Sequence, residues 1–119
     1  MTAQERVQAE HLQIDVRNEP DRVVLRLHGE LDLASAPLLQ GEIESAQTAD
    51  APLVVLDLDD LEFIDSTGLR IILAAHEHAQ ERGQMLALTR GSQQVQRLMN
   101  ITRVGEHLRI IESADEQLT

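Results

Sequence analysis

The chain has no cysteine, no lysine, no tryptophan and no tyrosine, and Phe63 is its only aromatic residue. Each absence removes a class of chemistry. Without cysteine there are no disulfides, no thiolate nucleophiles and no cysteine-held zinc, a composition compatible with a reducing compartment. With one aromatic ring, the stacking platforms that grip single-stranded nucleic acid have no material, and the core must be built from Leu, Ile, Val and Ala. Without lysine, every base is an arginine: 10 bases stand against 21 acids, a net charge of −11. Such a surface repels phosphate backbones and anionic membranes, so the expected partner is a protein with a basic face, not a nucleic acid. No apolar run approaches the about 20 residues of a bilayer span. Met1–Glu10 is polar and charged, unlike a secretory signal. The expectation is a soluble cytoplasmic protein with no membrane insertion. At 119 residues, 42% of them hydrophobic, the chain is long enough for one domain with a single two- or three-layer core.

What is present is organised around the stretch Leu53–Leu73. Leu53-Val54-Val55-Leu56, bounded by Pro52 and Asp59-Asp60, reads as a strand buried on both faces, because an exposed face would impose polar alternation. A carboxylate-rich turn follows. Then comes Asp65-Ser66-Thr67-Gly68, after which Leu69, Ile72, Leu73, Ala75 and Ala79 recur at helical spacing. Two readings of Asp65-Ser66-Thr67 stand side by side. One is a helix cap, in which a side-chain oxygen accepts a bond from a backbone N–H that lacks an intrahelical partner. The other is a hydroxyl displayed at a strand-to-helix junction for recognition or modification.

The rest of the chain supplies a framework. Residues 1–10 read as a flexible N-terminal tail, leaving residues 11–119 as the domain. Leu12, Ile14 and Val16 alternate with polar residues, the period of a strand with one wet face. The turn signature Asn18-Glu19-Pro20-Asp21 leads to a second strand over Val23–Leu27, which should pair with the first as an antiparallel hairpin and end at Gly29. Asp32 or Ser35 caps a helix that carries Pro37 in its first turn, with Leu38, Leu39, Ile43 and Ala46 as its apolar stripe. The helix after Ser66 runs to about Arg82, where Gly83 stops it. Met85–Leu88 is strand-like, Ser92 caps a third helix carrying Val95, Leu98 and Met99, Leu108–Ile111 forms a last short strand, and Ser113–Leu118 adds a terminal helical turn. The order ββαβαβαβ implies an α/β domain with a mixed sheet.

Three chemistries can be weighed at the acidic turn and its surroundings. Asp57, Asp59, Asp60, Glu62 and Asp65 place five carboxylates in nine residues. A phosphoaspartate receiver would need a further acidic pair after the first strand and a lysine beside the acyl phosphate; neither is present. His76 and His78 stand two apart on a helix and point in roughly opposite directions, so they do not chelate one ion, and no metal or other cofactor is expected. Ser66 lacks the Gly-x-Ser-x-Gly elbow, since Ile64 occupies the first position, and nothing places His28, His76, His78 or His107 beside its hydroxyl. An enzyme is not expected.

The motifs are specific in another direction. Gly29-Glu30-Leu31-Asp32, the run Val54-Val55-Leu56-Asp57-Leu58 leading through Phe63-Ile64 into Asp65-Ser66-Thr67-Gly68-Leu69, and Gln94-Val95-Gln96-Arg97-Leu98 together resemble a STAS domain, in the manner of the anti-sigma-factor antagonists. The resemblance spans about Leu12–Ile111. It implies a mixed sheet with the helices packed mainly on one face. It also implies that Ser66 is a phosphorylation site whose kinase is an ATP-dependent anti-sigma factor, that a PP2C-type phosphatase acts on phospho-Ser66, and that only the unphosphorylated form binds the anti-sigma factor tightly enough to free a sigma factor. Asp65, Ser66, Thr67 and Gly68 would then meet the partner, with Gly68 allowing close approach, and Glu30 and Asp32 would lie on a neighbouring loop. Arg70 departs from the glycine often found there in the family; it is either a solvated arginine or a group that pairs with a phosphate or with Asp65 and bears on partner choice. Thr67 offers a second acceptor or a backbone-bonding cap. The alternative role within the same fold is an unphosphorylated adaptor in a lipid or ABC transport complex or a stress-sensing assembly.

Overall fold

The computed structural model describes residues 3–118. The alternation at Leu12, Ile14 and Val16 yields strand β2 (Leu12–Asn18), which pairs antiparallel with β3 (Val23–Leu31) as the hairpin signature requires. Residues assigned to a tail by their polarity instead form strand β1 (Ala3–Ala9), antiparallel to β2 with Val7 opposite Ile14. The reason it escapes detection is physical. Val7 packs against the core, but its neighbours Arg6 and Gln8 face water at the sheet edge, so the strand has almost no apolar pattern.

Gly29 does not end β3; it bends it. Its φ is +102°, the register shifts between Gly29 and Glu30, and the strand continues to Leu31. A Cβ at this position would lie 2.1 Å from the His11 carbonyl oxygen, which itself accepts the Glu30 N–H at 3.0 Å. Only glycine allows the β1–β2 turn to sit so close to this bulge. The bend divides β3 between two parallel neighbours. Its first half pairs with β4 (Leu53–Asp57), and its last residues pair with β5 (Leu61–Ile64), a strand lying inside the stretch read from sequence as a turn. β6 (Met85–Thr89) and β7 (Arg109–Ile111) extend the sheet in parallel beyond β4. Among the described residues the strand order is β1-β2-β3-β4-β6-β7, with β5 beside β3.

Helices α1 (Ala36–Thr48), α2 (Ser66–Glu81) and α3 (Gln93–Thr102) all pack on one face, as expected. Leu39 and Ile43 of α1, Leu69 and Ile72 of α2, and Val95 and Met99 of α3 share one core with Ile14, Leu25, Val54, Leu56 and Leu88 of the sheet. Every residue of β4 is buried, in keeping with its unbroken apolar run.

The opposite face carries a smaller apolar cluster of Val24, Leu53, Val55, Ala87 and Ile111, covered by Ala114 and Leu118 of the C-terminal segment. Arg22, only 5% exposed, holds that segment by donating to the carbonyls of Ala114 (2.9 Å) and Glu116 (2.8 Å). The segment is therefore not a helical turn; Glu116 N–H closes a single reverse turn on the Ser113 carbonyl. Across the strands of this face runs a chain of polar and charged side chains: Arg6 to Asp15 (2.9 Å), Asp15 to His28 (3.0 Å), His28 to Asp60 (3.5 Å) and Asp60 to Arg26 (2.6 Å).

Candidate functional site

The β5–α2 junction assigns the cap to one residue. Asp65 has extended backbone angles (φ −107°, ψ −177°), and its Oδ1 accepts the Gly68 N–H at 3.0 Å. Its own N–H donates to the Leu31 carbonyl at 3.1 Å, and its carbonyl accepts the Leu69 N–H at 3.1 Å. Asp65 thus ties the start of α2 to the end of β3. Ser66 is the first residue of the helix proper, not its cap. It is exposed, and its hydroxyl makes no hydrogen bond among the described residues. Thr67 is half-buried and bonds no backbone group among them either. Gly68 is buried, and the close approach it permits is internal: a Cβ there would lie 2.7 Å from Leu31 Cγ and 3.1 Å from Ile64 Cγ1.

Glu30 lies in the last residues of β3, not on a loop as the resemblance implies, and Asp32 begins the β3–α1 connection; the two flank Leu31, whose carbonyl receives the Asp65 N–H, so the pairing of β3 with β5 brings both to one end of the sheet. Asp32 folds the β3–α1 connection around its carboxylate. Its Oδ1 accepts the N–H groups of Ser35 (3.0 Å) and Ala34 (3.1 Å) and the Ser35 hydroxyl (3.1 Å), in contact with the amide that completes an Asx-type turn. The Ser35 amide foremost, with the Ser35 hydroxyl and the Ala34 amide, holds the Asp32 carboxyl below the usual carboxylate range against the opposing effect of burial. Ser35 takes the N-cap position of α1 without capping it; its single hydroxyl proton is shared between Asp32 Oδ1 and the Glu30 carbonyl, 2.9 Å away. This loop also displays Leu33, 73% exposed, and β5 displays Phe63 at 39%. Neither residue was singled out as a contact residue by sequence pattern, because exposure of a lone apolar side chain leaves no periodic mark.

A second residue escaped sequence reasoning although its segment belonged to a recognised motif. Gln94 of α3 donates from Nε2 to the Ile64 carbonyl (3.1 Å) and accepts the Ile64 N–H on Oε1 (3.0 Å). Its amide takes the place of a neighbouring strand on the free edge of β5 and fixes the residue immediately before Asp65.

The acidic run does not form one patch. Asp57 is buried at the end of β4, where it accepts the Asp59 N–H (3.1 Å) and the Thr89 hydroxyl (3.3 Å). Asp60 is held on the helix-free face by Arg26 and His28, leaving Asp59 and Glu62 exposed and Asp65 at the helix start. His28 is engaged with Asp15 and Asp60 and does not approach Ser66, while His76 and His78 lie more than two turns along α2. Among the described residues no three His, Asp or Glu side chains are grouped to hold a metal ion, and no helix is long and apolar enough to cross a membrane.

Arg70 is exposed one turn after Ser66 and makes no ion pair or hydrogen bond among the described residues, with Asp65 or any other. With Thr67 it lines the upper part of a groove of about 510 Å³ between α1 and α2, whose apolar lining includes Ile43, Ile71 and Ala75.

Comparison with known proteins agrees with this architecture. The model of the STAS domain matches residues 13–117. The anti-sigma F factor antagonist of Paenibacillus polymyxa is 27% identical over 110 residues, covering 92% of this chain and 94% of that protein. The anti-sigma-B factor antagonist of Bacillus subtilis (strain 168) is 28% identical over 92 residues, 77% of this chain and 84% of that one. Among solved structures, an anti-sigma factor antagonist from Mycobacterium paratuberculosis superimposes with a TM-score of 0.75 at 25% identity, covering 87% of this chain and 88% of the other. With the family model spanning nearly the whole chain and the fold agreeing in sheet and helices, the chain belongs to the STAS domain family.

Proposed function

We propose that this chain is an anti-sigma-factor antagonist, a non-enzymatic switch that binds an anti-sigma factor with serine kinase activity and is released when that kinase phosphorylates Ser66. The observation that carries the reading is the division of labour at the start of α2. Asp65 supplies the cap, so the Ser66 hydroxyl is exposed and uncommitted. A serine spent on capping would have to break its bond to be modified; this one, which bonds nothing among the described residues, does not. The relatives described above are themselves antagonists of anti-sigma factors and match over most of their lengths. In the transfer step the Ser66 oxygen attacks the γ-phosphorus of ATP, the bond to the bridging oxygen breaks, ADP leaves, and the hydroxyl proton passes to a base of the kinase. A PP2C-type phosphatase would reverse the state by hydrolysis. The contact surface is Ser66 and Thr67 with Glu30, Asp32 and Arg70 around them, while Asp65 and Gly68 hold the surface in shape.

The switch is electrostatic and local. A phosphoserine adds about −1.5 to −2 charges. A helix N-terminus accommodates an anion, so the domain has no reason to unfold. The added charge and its hydration shell stand where the partner must dock closely, and the interface weakens.

Intact-mass spectrometry tests the acceptor. Incubation with the cognate anti-sigma kinase and ATP should add one phosphate to the wild type and none to Ser66→Ala. Failure of every candidate kinase to modify the wild type would contradict the switch and favour the adaptor role.

A further inference from the structure

Arg70 lines the proposed contact surface, and its surroundings restrict what else it does. Six of the ten arginines (Arg6, Arg17, Arg22, Arg26, Arg82 and Arg90) are ion-paired with carboxylates; Arg70, like Arg97, Arg103 and Arg109, has no such partner among the described residues, and of these four it alone stands one turn from Ser66 on α2. The nearest carboxylate in sequence, Asp65, is occupied on Oδ1 by the Gly68 N–H, and Glu44, which faces the same groove from α1, does not bond the guanidinium. The position of Arg70 on α2 is specific. It follows Ser66 by four residues in an unbroken helix, so the two stack on one face with Cβ atoms about 5–6 Å apart. Helical side chains lean toward the N-terminus, and the surface an arginine covers lies over the turn preceding its own Cα. For Arg70 that turn begins at Ser66.

Resting on the proposed modification of Ser66, we infer that Arg70 is the internal counter-ion of the phosphate: once Ser66 is phosphorylated, the guanidinium closes on two phosphate oxygens and holds the group back along α2. A bidentate arginine–phosphate contact of this kind needs no backbone movement. It cancels one of the added charges, stabilises the modified form and shields the phosphorus from attack. Arg70 thereby prolongs the phosphorylated, released state, and removing it should hasten dephosphorylation.

The test needs neither kinase nor partner. Phosphoserine is installed at position 66 by genetic encoding in the full chain, and its second ionisation is followed by ³¹P NMR in wild type, Arg70→Gln and Arg70→Lys. The other charged groups around this end of α2 are Asp65, Glu30, Asp32 and Glu44, all carboxylates that raise the phosphate's ionisation, and His78 farther down the groove. The N–H groups at the start of α2 lower it equally in all three proteins, so a difference between them reports a cation held at the phosphate. Wild type should ionise about 0.4 pH lower than Arg70→Gln at low salt, the size of an exposed i,i+4 ion pair, with Arg70→Lys between them. The difference should shrink in high salt. Equal titration of wild type and Arg70→Gln, both folded by their amide spectra, would overturn the inference while leaving the acceptor role of Ser66 untouched. Absence of kinase modification would defeat that role and leave this result standing.

Discussion

At the scale of single residues, the exposure of the Ser66 hydroxyl depends on which of two adjacent side chains caps α2. Asp65 and Ser66 are both good capping residues, and the sequence offers no means of ranking them. Geometry ranks them: Asp65 is in the extended region and bonds the Gly68 N–H, while Ser66 already has its place inside the helix. The consequence is an asymmetry in stability. Asp65→Ala should cost about 0.5–2 kcal/mol, the range for loss of an N-cap. Ser66→Ala should stay within about 0.5 kcal/mol of wild type, as for a surface change that removes no bond. Urea denaturation of the two variants checks this directly, and equal losses would return the cap to Ser66. The same logic separates Gly68 from its expected role. A glycine that follows a candidate acceptor invites the idea of a close-fitting partner, but the atoms it admits are those of Leu31 and Ile64.

At the scale of elements, legibility followed burial pattern. The hairpin β2–β3, the fully buried β4, and helices α1, α2 and α3 stood out because each has a long apolar stripe at its own period, and the cap of α3 was readable from Ser92, whose hydroxyl accepts the Val95 N–H. β1 was hidden because only one face of an edge strand meets the core. β5 was hidden for a different reason: Leu61 and Ile64 are buried while Glu62 and Phe63 are exposed, a spacing of three that matches no strand period. What makes those four residues a strand is a pair of neighbours remote in sequence, β3 on one side and the Gln94 amide on the other. Gln94→Ala should therefore leave both the N–H and the carbonyl of Ile64 without partners on that edge. The expected cost is about 1–3 kcal/mol, and amide exchange should accelerate at Ile64 more than in β4. Unchanged exchange at Ile64 would mean that the β3 pairing alone holds β5. The bend at Gly29 belongs to the same class: glycine at a strand end reads as a stop, and only the positive φ and the register shift beyond it show that it is a bulge.

At the scale of the whole molecule, the one-sided placement of the helices produces two unlike surfaces. One face of the sheet is sealed by α1, α2 and α3. The other is partly covered by the C-terminal segment, and elsewhere its charges pair with one another from Arg6 to Arg26. The Ser66 junction lies at the end of the sheet, where β3, β5 and the start of α2 converge. The net charge of −11, legible from composition, suits a basic partner; the location of the proposed docking surface was legible only as a motif, since bringing Glu30 and Asp32 to Asp65 depends on the β3–β5 pairing. The central claim is that one phosphate at this junction weakens binding without altering the fold. The most direct measurement is calorimetric titration of the anti-sigma factor with the chain carrying either serine or encoded phosphoserine at position 66, each first matched by amide spectra. Superimposable spectra outside the junction are expected, with binding weakened at least tenfold, about 1.4 kcal/mol, by the phosphate. Equal affinities for the two forms would contradict the claim.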